Sequence, residues 1–503
     1  MKPIVIRDTE PTGAVATPLP FRTAGAILLI SCYELGHQPI GAAQAGGFLE
    51  QAGYAPHFLD VSVEEFDPER VREAKVVGIS VPMHTALRLG VRLAGLIRRV
   101  NPSCHLCLYG LYASLNAEYL LRDTADFVIG GEYETPLVQL INALEQGHDR
   151  PDIEGVSHKG RLAAPFLKRT PFVFPVPARH SLPALDRYAR LEYQGERRIA
   201  GYVEASRGCL HMCRHCPIVP VYEGRFFLVP QDVVLRDIRQ QVEAGAAHIT
   251  FGDPDFLNGP GHSLSIVRAM HEEFPHVTFD VTAKIEHLLK RRAILPELAE
   301  QGCLFVISAV ESFSNTVLTH LAKGHTRADI FTALEIVREA GLALRPSLVA
   351  FTPWTTLDDC LDMFDTVETQ DLIDAIDPVQ YSIRLLIPPG SALLNASDEP
   401  APVRRFLGPL DQGGFQYHWT HPDPRVDRLH ASISVAVEDA AKRGEDARVT
   451  FDRLRTLAYR MADRDPPAAC PSCAPVEKAR PPRMTEPWFC CAEPTMGQMD
   501  ALG

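Results

Sequence analysis

Along residues 25–145, short apolar runs alternate with longer segments whose apolar positions recur three and four apart. The runs lie at 26–31, 56–60, 76–80, 104–109 and 126–130, with helix-length stretches such as 40–52 and 84–100 between them. Apolar strands separated by helices predict a parallel sheet covered on both faces, with a ligand crevice at the carboxyl ends of its strands. Residues 151–200 lose this rhythm, and Pro171, Pro175, Pro177 and Pro183 predict a linker with local hairpin structure. The alternation resumes at 201, with strands predicted at 202–206, 247–252, 277–282, 304–309, 342–350 and 379–384. Helices separate them, for example 231–244 and 327–340, the latter ending at Gly341 as a C-cap. Six such units predict an open barrel, a partial (βα)6 TIM barrel, with chemistry at the carboxyl ends of its strands.

The predicted fold class is therefore α/β. Residues 1–24 form a tail, 25–150 a Rossmann-like domain, 151–200 the linker and 201–396 the partial barrel. Residues 397–465 form a helical extension, amphipathic between 426 and 463, and 466–503 a proline- and cysteine-rich tail too short to bury its own core.

Charge and cysteine content narrow the functional classes. The 503 residues carry 50 Lys and Arg against 63 Asp and Glu, a formal net charge of −13. A field of that sign argues against general binding of nucleic acid or an anionic membrane. The longest uncharged apolar run, from Thr23 to Tyr33, ends at Glu34, short of the roughly 18–20 residues a membrane span needs. Asp8, Glu10 and nearby prolines interrupt the N-terminus before any signal-peptide core, so a cytoplasmic location is expected. Thiols there stay reduced, and the 12 cysteines then point to metal or redox chemistry rather than to disulfides.

Three of them follow the first predicted barrel strand, in Ser206-Arg-Gly-Cys209-Leu-His-Met-Cys213-Arg-His-Cys216-Pro217. Thiolates at C-x3-C-x2-C spacing can wrap one soft metal centre. A structural zinc site would need a fourth ligand, for which His211 and His215 are available. A [4Fe–4S] cluster on three cysteines would instead leave one iron open, as a catalytic centre requires. Further polar groups fall at predicted strand ends: Phe251-Gly252-Asp253-Pro254-Asp255, Ala309-Val310-Glu311-Ser312, Lys323-Gly324-His325-Thr326 and Leu386-Ile387-Pro388-Pro389-Gly390-Ser391.

Taken in order, these motifs resemble the radical S-adenosylmethionine (radical SAM) superfamily over residues 201–395. The resemblance implies that Cys209, Cys213 and Cys216 ligate a [4Fe–4S] cluster and that S-adenosylmethionine (SAM) binds its open iron. It also implies SAM contacts from Gly252, Asp253, Glu311 and Ser312, with His215 near the adenine where the family usually has an aromatic residue. A small-molecule substrate and a low-potential electron donor of flavodoxin or ferredoxin type would be the partners.

Residues 25–145 resemble the cobalamin-binding domain that precedes many radical SAM barrels, through Ala52-Gly53-Tyr54, Val76–Ser80 and Gly130-Gly131-Glu132-Tyr133-Glu134-Thr135. Two departures stand out: Gly110-Leu111 replaces the usual Gly-Gly, and no Asp-x-His-x-x-Gly motif supplies a lower ligand. Bound cobalamin and a corrin-free domain that shapes the substrate channel both remain open.

The C-terminal tail carries Cys470-Pro-Ser-Cys473 and Phe489-Cys490-Cys491-Ala-Glu-Pro494, which is similar to the tail of the CCAEP-tail radical SAM proteins. Adjacent thiols cannot form an unstrained disulfide, so Cys490 and Cys491 are expected to act as substrate-holding or redox groups. With Cys470 and Cys473 they offer the alternative of a zinc or second iron–sulfur site. The sharpest expectation is transfer of an aminocarboxypropyl group of SAM to thiol-bound arsenic(III). A cobalamin-dependent methyltransferase acting on an unactivated carbon, and a non-catalytic metal-binding scaffold, are the alternatives.

Overall fold

The computed structural model describes residues 20–168, 173–395, 402–466 and 480–486. Strands β1 (Ile27–Ser31), β2 (His57–Asp60), β3 (Val76–Ser80), β4 (His105–Tyr109), β5 (Phe127–Ile129) and β6 (Val156–His158) form one sheet in the order β2-β1-β3-β4-β5-β6. The first five are parallel and β6 is antiparallel to β5. Their nearly continuous burial explains the unbroken apolar runs, because helices such as Ile40–Gln51 and His84–Val100 cover both faces. The strand order reverses between β1 and β3, where such sheets place their ligand crevice.

The stretch read as a linker contains a hairpin, β7 (Arg190–Tyr193) with β8 (Glu196–Val203). Gln194 and Gly195 turn it with positive φ at both positions, as a tight hairpin requires. From β8 the second sheet curls through β11 (His248–Phe251), β12 (Thr278–Thr282), β13 (Cys303–Glu311) and β14 (Ala343–Leu348), all parallel. Between β8 and β11 a short antiparallel pair, β9 (Ser206–Gly208) and β10 (Phe226–Leu228), forms the stem of the cysteine loop. Antiparallel β15 (Leu407–Asp411) and β16 (Gln416–Trp419) follow, and Phe415 between them packs on Tyr119 of the first domain at 5.1 Å. Helices Pro424–Arg443 and Ala447–Met461 then lie side by side, separated by the left-handed Gly444.

Two features differ from the sequence expectation. The sixth barrel strand, expected at 379–384, is a 3-10 turn at Pro378–Ser382, followed by an isolated bridge between Phe351 and Arg384. The Gln380 side-chain carbonyl accepts the Leu348 N–H at 2.9 Å and so takes the place of a strand backbone beside β14. At the opposite edge, β17 (Arg483–Met484) pairs with β7, so a piece of the C-terminal region extends the sheet. The barrel is thus a curled half-barrel of five parallel strands with an antiparallel margin. Among the described residues no helix is long and apolar enough to cross a membrane.

Candidate functional site

The carboxyl ends of the barrel strands open into one cavity of about 390 Å3, within the range of small-molecule sites. Side chains alternate across a strand, so every second residue of the barrel strands points inward. Thr250, Asp280, Thr282, Phe305, Ile307, Ala309, Glu311, Arg345 and Ser347 accordingly line the cavity. Leu35 and His37, from the loop after β1, close it on the side of the first domain. Met484 and Glu486 close it on the side of β17.

Cys209, Cys213 and Cys216 line this cavity as free thiols. Their loop is pinned at three points: the Cys209 N–H donates to Arg225, the Cys216 N–H to Cys213, and the Arg214 N–H to Leu321. Gly208 makes the sharp entry possible. Its φ is +74°, and a Cβ there would meet the Arg225 carbonyl at 2.4 Å. Burial, with smaller contributions from the other two thiols, pushes the Cys216 thiol up to about 12. Three thiols gathered on one cavity wall are a donor set that a cationic soft-metal centre completes, so these residues fit a [4Fe–4S] cluster. Neither nearby histidine completes a zinc site instead. His215 Nε2 is 3.1 Å from Glu311 Oε1, and His211 faces Asp255 and His287.

Glu311 ends β13 in a left-handed conformation, φ 64°, just after a register shift against β14. Burial alone would raise its carboxyl, but Lys323 Nζ at 3.1 Å and His215 outweigh that and hold it well below the usual carboxylate range. The result is a permanently ionised, oriented carboxylate in the cavity wall. His215 lines the same cavity, whereas Ser312 does not and instead accepts the Ser314 N–H.

Gly252 and Asp253, expected as SAM contacts, are not among the residues that line the cavity. Asp253 is turned back into the fold, where its carboxylate accepts the Ala205 N–H at 2.9 Å and the Ser206 hydroxyl at 2.5 Å. Gly252 leaves room for Tyr202, whose hydroxyl a Cβ there would meet at 2.0 Å. The acid that reaches the cavity from this loop is Asp255. Lys323, Lys284, Arg345 and Met484 are further lining residues that were not singled out for this role from sequence. Only Lys323 had a signal, the Lys-Gly turn one helix after Glu311. Cys470, Cys473, Cys490 and Cys491 lie outside the described residues.

The junction between the domains is direct. His37 stacks on Tyr202 at 4.6 Å, the Tyr222 hydroxyl donates to Glu132 at 2.9 Å, and Arg207 pairs with Glu134 and Glu204. Helix Leu111–Leu115, which begins at the Gly110-Leu111 position, packs against helix Val219–Tyr222.

With this geometry in view, residues 203–363 match the Radical SAM superfamily and residues 27–141 match the B12 binding domain. The chain thus carries a radical SAM domain and, ahead of it, a B12-binding domain. An uncharacterized methyltransferase of Pyrococcus horikoshii is 23% identical over 337 residues, covering 65% of this chain and 69% of that protein. The hopanoid C-3 methylase of Methylococcus capsulatus is 24% identical over 328 residues, covering 63% of this chain and 62% of that one. The cobalamin-dependent radical enzyme OxsB, solved with aqua-cobalamin and SAM, shares the fold with a TM-score of 0.63 at 15% identity. That match covers 82% of this chain and 66% of OxsB. The methyltransferase TsrM of Kitasatospora setae, solved with tryptophan and a SAM analogue, gives 0.60 at 15% identity, covering 82% and 89%. Neither family match reaches Phe489–Pro494, so the likeness to the CCAEP-tail proteins rests on those residues alone.

Proposed function

We propose that this protein is a radical SAM enzyme that transfers a SAM-derived carbon group to a small molecule bound in the half-barrel. One observation carries the reading: Cys209, Cys213 and Cys216 share a single cavity with an ionised Glu311 held by Lys323. When bound, a reduced cluster would supply the electron that breaks a carbon–sulfur bond of SAM and releases a carbon radical. The chain's own contribution is placement and exclusion. Glu311 offers a fixed negative charge to an ammonium or ribose hydroxyl, and His215 presents a ring beside it. Deeper in the cavity, Arg345 is paired with Asp377 at 2.8 Å, and Asp280 accepts from Thr250 at 2.7 Å. These groups suit a polar end of the substrate, while Met484 and Glu486 restrict water at the open seam. The electron would come from a low-potential donor of flavodoxin or ferredoxin type.

Methyl is the group that the relatives favour, since the first two are a methyltransferase and a methylase. Cobalamin-dependent methylation is the second reading. The B12-binding domain supports it. Aminocarboxypropyl transfer to arsenic(III) draws no support from these relatives, and the thiols that would hold arsenic lie outside the described residues.

Anaerobic reconstitution with iron, sulfide, reductant and SAM, followed by mass spectrometry, tests the proposal. The expected result is an iron–sulfur chromophore and cleavage of SAM. S-Adenosylhomocysteine with 5′-deoxyadenosine, formed only with added cobalamin, identifies the second reading, and methylthioadenosine identifies aminocarboxypropyl transfer. An intact, reduced cluster that leaves SAM unchanged would overturn the enzyme reading in favour of a metal-binding scaffold.

A further inference from the structure

At the cysteine loop three side chains from three elements meet. His211 lies between Cys209 and Cys213, Asp255 follows β11, and His287 sits on helix Ile285–Lys290 after β12. His211 Nε2 is 3.4 Å from Asp255 Oδ2, and His287 Nδ1 is 2.8 Å from the same oxygen. All three atoms lie within 4.8 Å of one another. Asp255 is 1% exposed and His287 8%.

The contacts are close, yet none of these three buried atoms makes a directed hydrogen bond. Water is excluded as the alternative partner, so donor capacity of this kind is costly unless something else uses it. Imidazole nitrogen and carboxylate oxygen bind divalent metals at about 2.0–2.2 Å, which at tetrahedral or octahedral angles sets neighbouring ligand atoms about 3–3.5 Å apart. Of the two Asp255 distances, 3.4 Å falls in that range and 2.8 Å lies just below it. Asp255 is also oriented as a ligand, because the Leu257 N–H holds Oδ1 at 3.0 Å and leaves Oδ2 facing both rings.

The outer contacts complete the pattern. A metal-bound histidine hands its other ring N–H to a carboxylate, which fixes the tautomer. His211 Nδ1 stands 3.7 Å from Glu286 Oε2. Lys284 Nζ lies 3.2 Å from that same nitrogen and 3.1 Å from Glu286, so the lysine can remain with the carboxylate when Nδ1 carries the proton.

We propose that His211, Asp255 and His287 form a second metal site, a two-histidine, one-carboxylate set for a divalent first-row ion of the Fe2+ or Zn2+ kind. Such a set leaves coordination positions open. His211 and Asp255 line the cavity while His287 stands behind them, so the open positions face the small molecule that the cavity holds. The ligand class is an oxygen or nitrogen donor of that molecule, a carboxylate, carbonyl, hydroxyl or amine.

The test uses the full chain carrying Cys209→Ser, Cys213→Ser and Cys216→Ser, in which no cluster can assemble, titrated anaerobically with Co2+ alone. One equivalent should bind with the weak visible bands of nitrogen and oxygen ligation. Cobalt on the remaining thiols is told apart by its thiolate charge-transfer bands. Adding His287→Ala or Asp255→Asn should abolish the nitrogen–oxygen signal. Glu286→Gln should weaken it by about 10–100-fold, as loss of an outer-shell partner does. His211→Ala, on a loop, repeats the loss without touching the packed core, and circular dichroism checks that each variant is folded. Absence of the nitrogen–oxygen signal in the parent, or its persistence in the folded His211→Ala variant, overturns the proposal. Because the measurement is made without a cluster, its outcome is independent of whether the holoenzyme cleaves SAM.

Discussion

Glu34 is a carboxyl group held beside Ser80 and the Gly41 N–H at the switch point of the first sheet. Burial, with Glu204 and Asp60 nearby, raises its pKa from 4.5 to about 8. Between those values the folded chain keeps a proton that the unfolded chain releases, so this contribution to stability is complete below pH 4.5 and is lost as pH rises through 8. Glu34→Gln should match the wild type in urea denaturation at pH 4.5 and exceed it by roughly 4 kcal/mol at pH 9. Glu311→Gln acts in the opposite direction. It strands Lys323, 3% exposed, without its carboxylate, and should cost about 3–5 kcal/mol in the same assay. What the sequence revealed at this scale followed locality. Cys209, Cys213 and Cys216 are readable because eight consecutive residues carry the whole set. In Gly252-Asp253-Pro254-Asp255 the sequence does not tell which carboxylate lines the cavity, because Ala205 and Ser206, nearly fifty positions away, hold Asp253. His287 had no signal at all; it is one polar residue on a short helix until β11 brings Asp255 against it.

At the scale of elements, strands and helices with strong periodicity were legible, including the helices at 40–51, 84–100, 231–243 and 327–339. The sixth barrel strand was not, because its residues alternate like a strand while a Gln380 side chain occupies the pairing position. β17 was hidden for another reason: its two residues pair with β7, and two residues carry no period. Its hold is nonetheless specific, since the Thr485 N–H donates to Arg190 at 2.8 Å and Arg483 pairs with Glu192 at 2.7 Å. Thr485→Pro removes that donor and should detach the segment. The expected outcome is unchanged iron content with SAM cleavage uncoupled from product, read as a rise in the ratio of cleaved SAM to modified substrate. Thr326 closes a capping box with Asp329 at the start of helix Arg327–Glu339, just after the Lys323 turn. Thr326→Ala should cost about 1 kcal/mol without loss of iron. A differential scanning measurement and an iron assay on the same sample check both halves.

For the whole molecule, polar and apolar contacts cross the junction between the two domains together. Arg207 pairs with Glu134 and lies 3.6 Å from Glu132, and the Leu386 and Phe415 side chains join the core of the first domain. Arg207→Gln leaves those carboxylates facing one another and should loosen the junction. Faster proteolysis between the domains and a larger radius of gyration in small-angle scattering are the expected readouts, with Cys-loop iron unchanged. The pairing of β17 with β7 has a further consequence in time. Arg483 meets Glu192 across 291 positions, so on a ribosome the cysteine loop and the five parallel strands emerge well before the wall that closes their seam. A nascent barrel is thus open to cluster delivery from that side, and synthesis of the last strand narrows the entrance after the metal has had its chance to arrive.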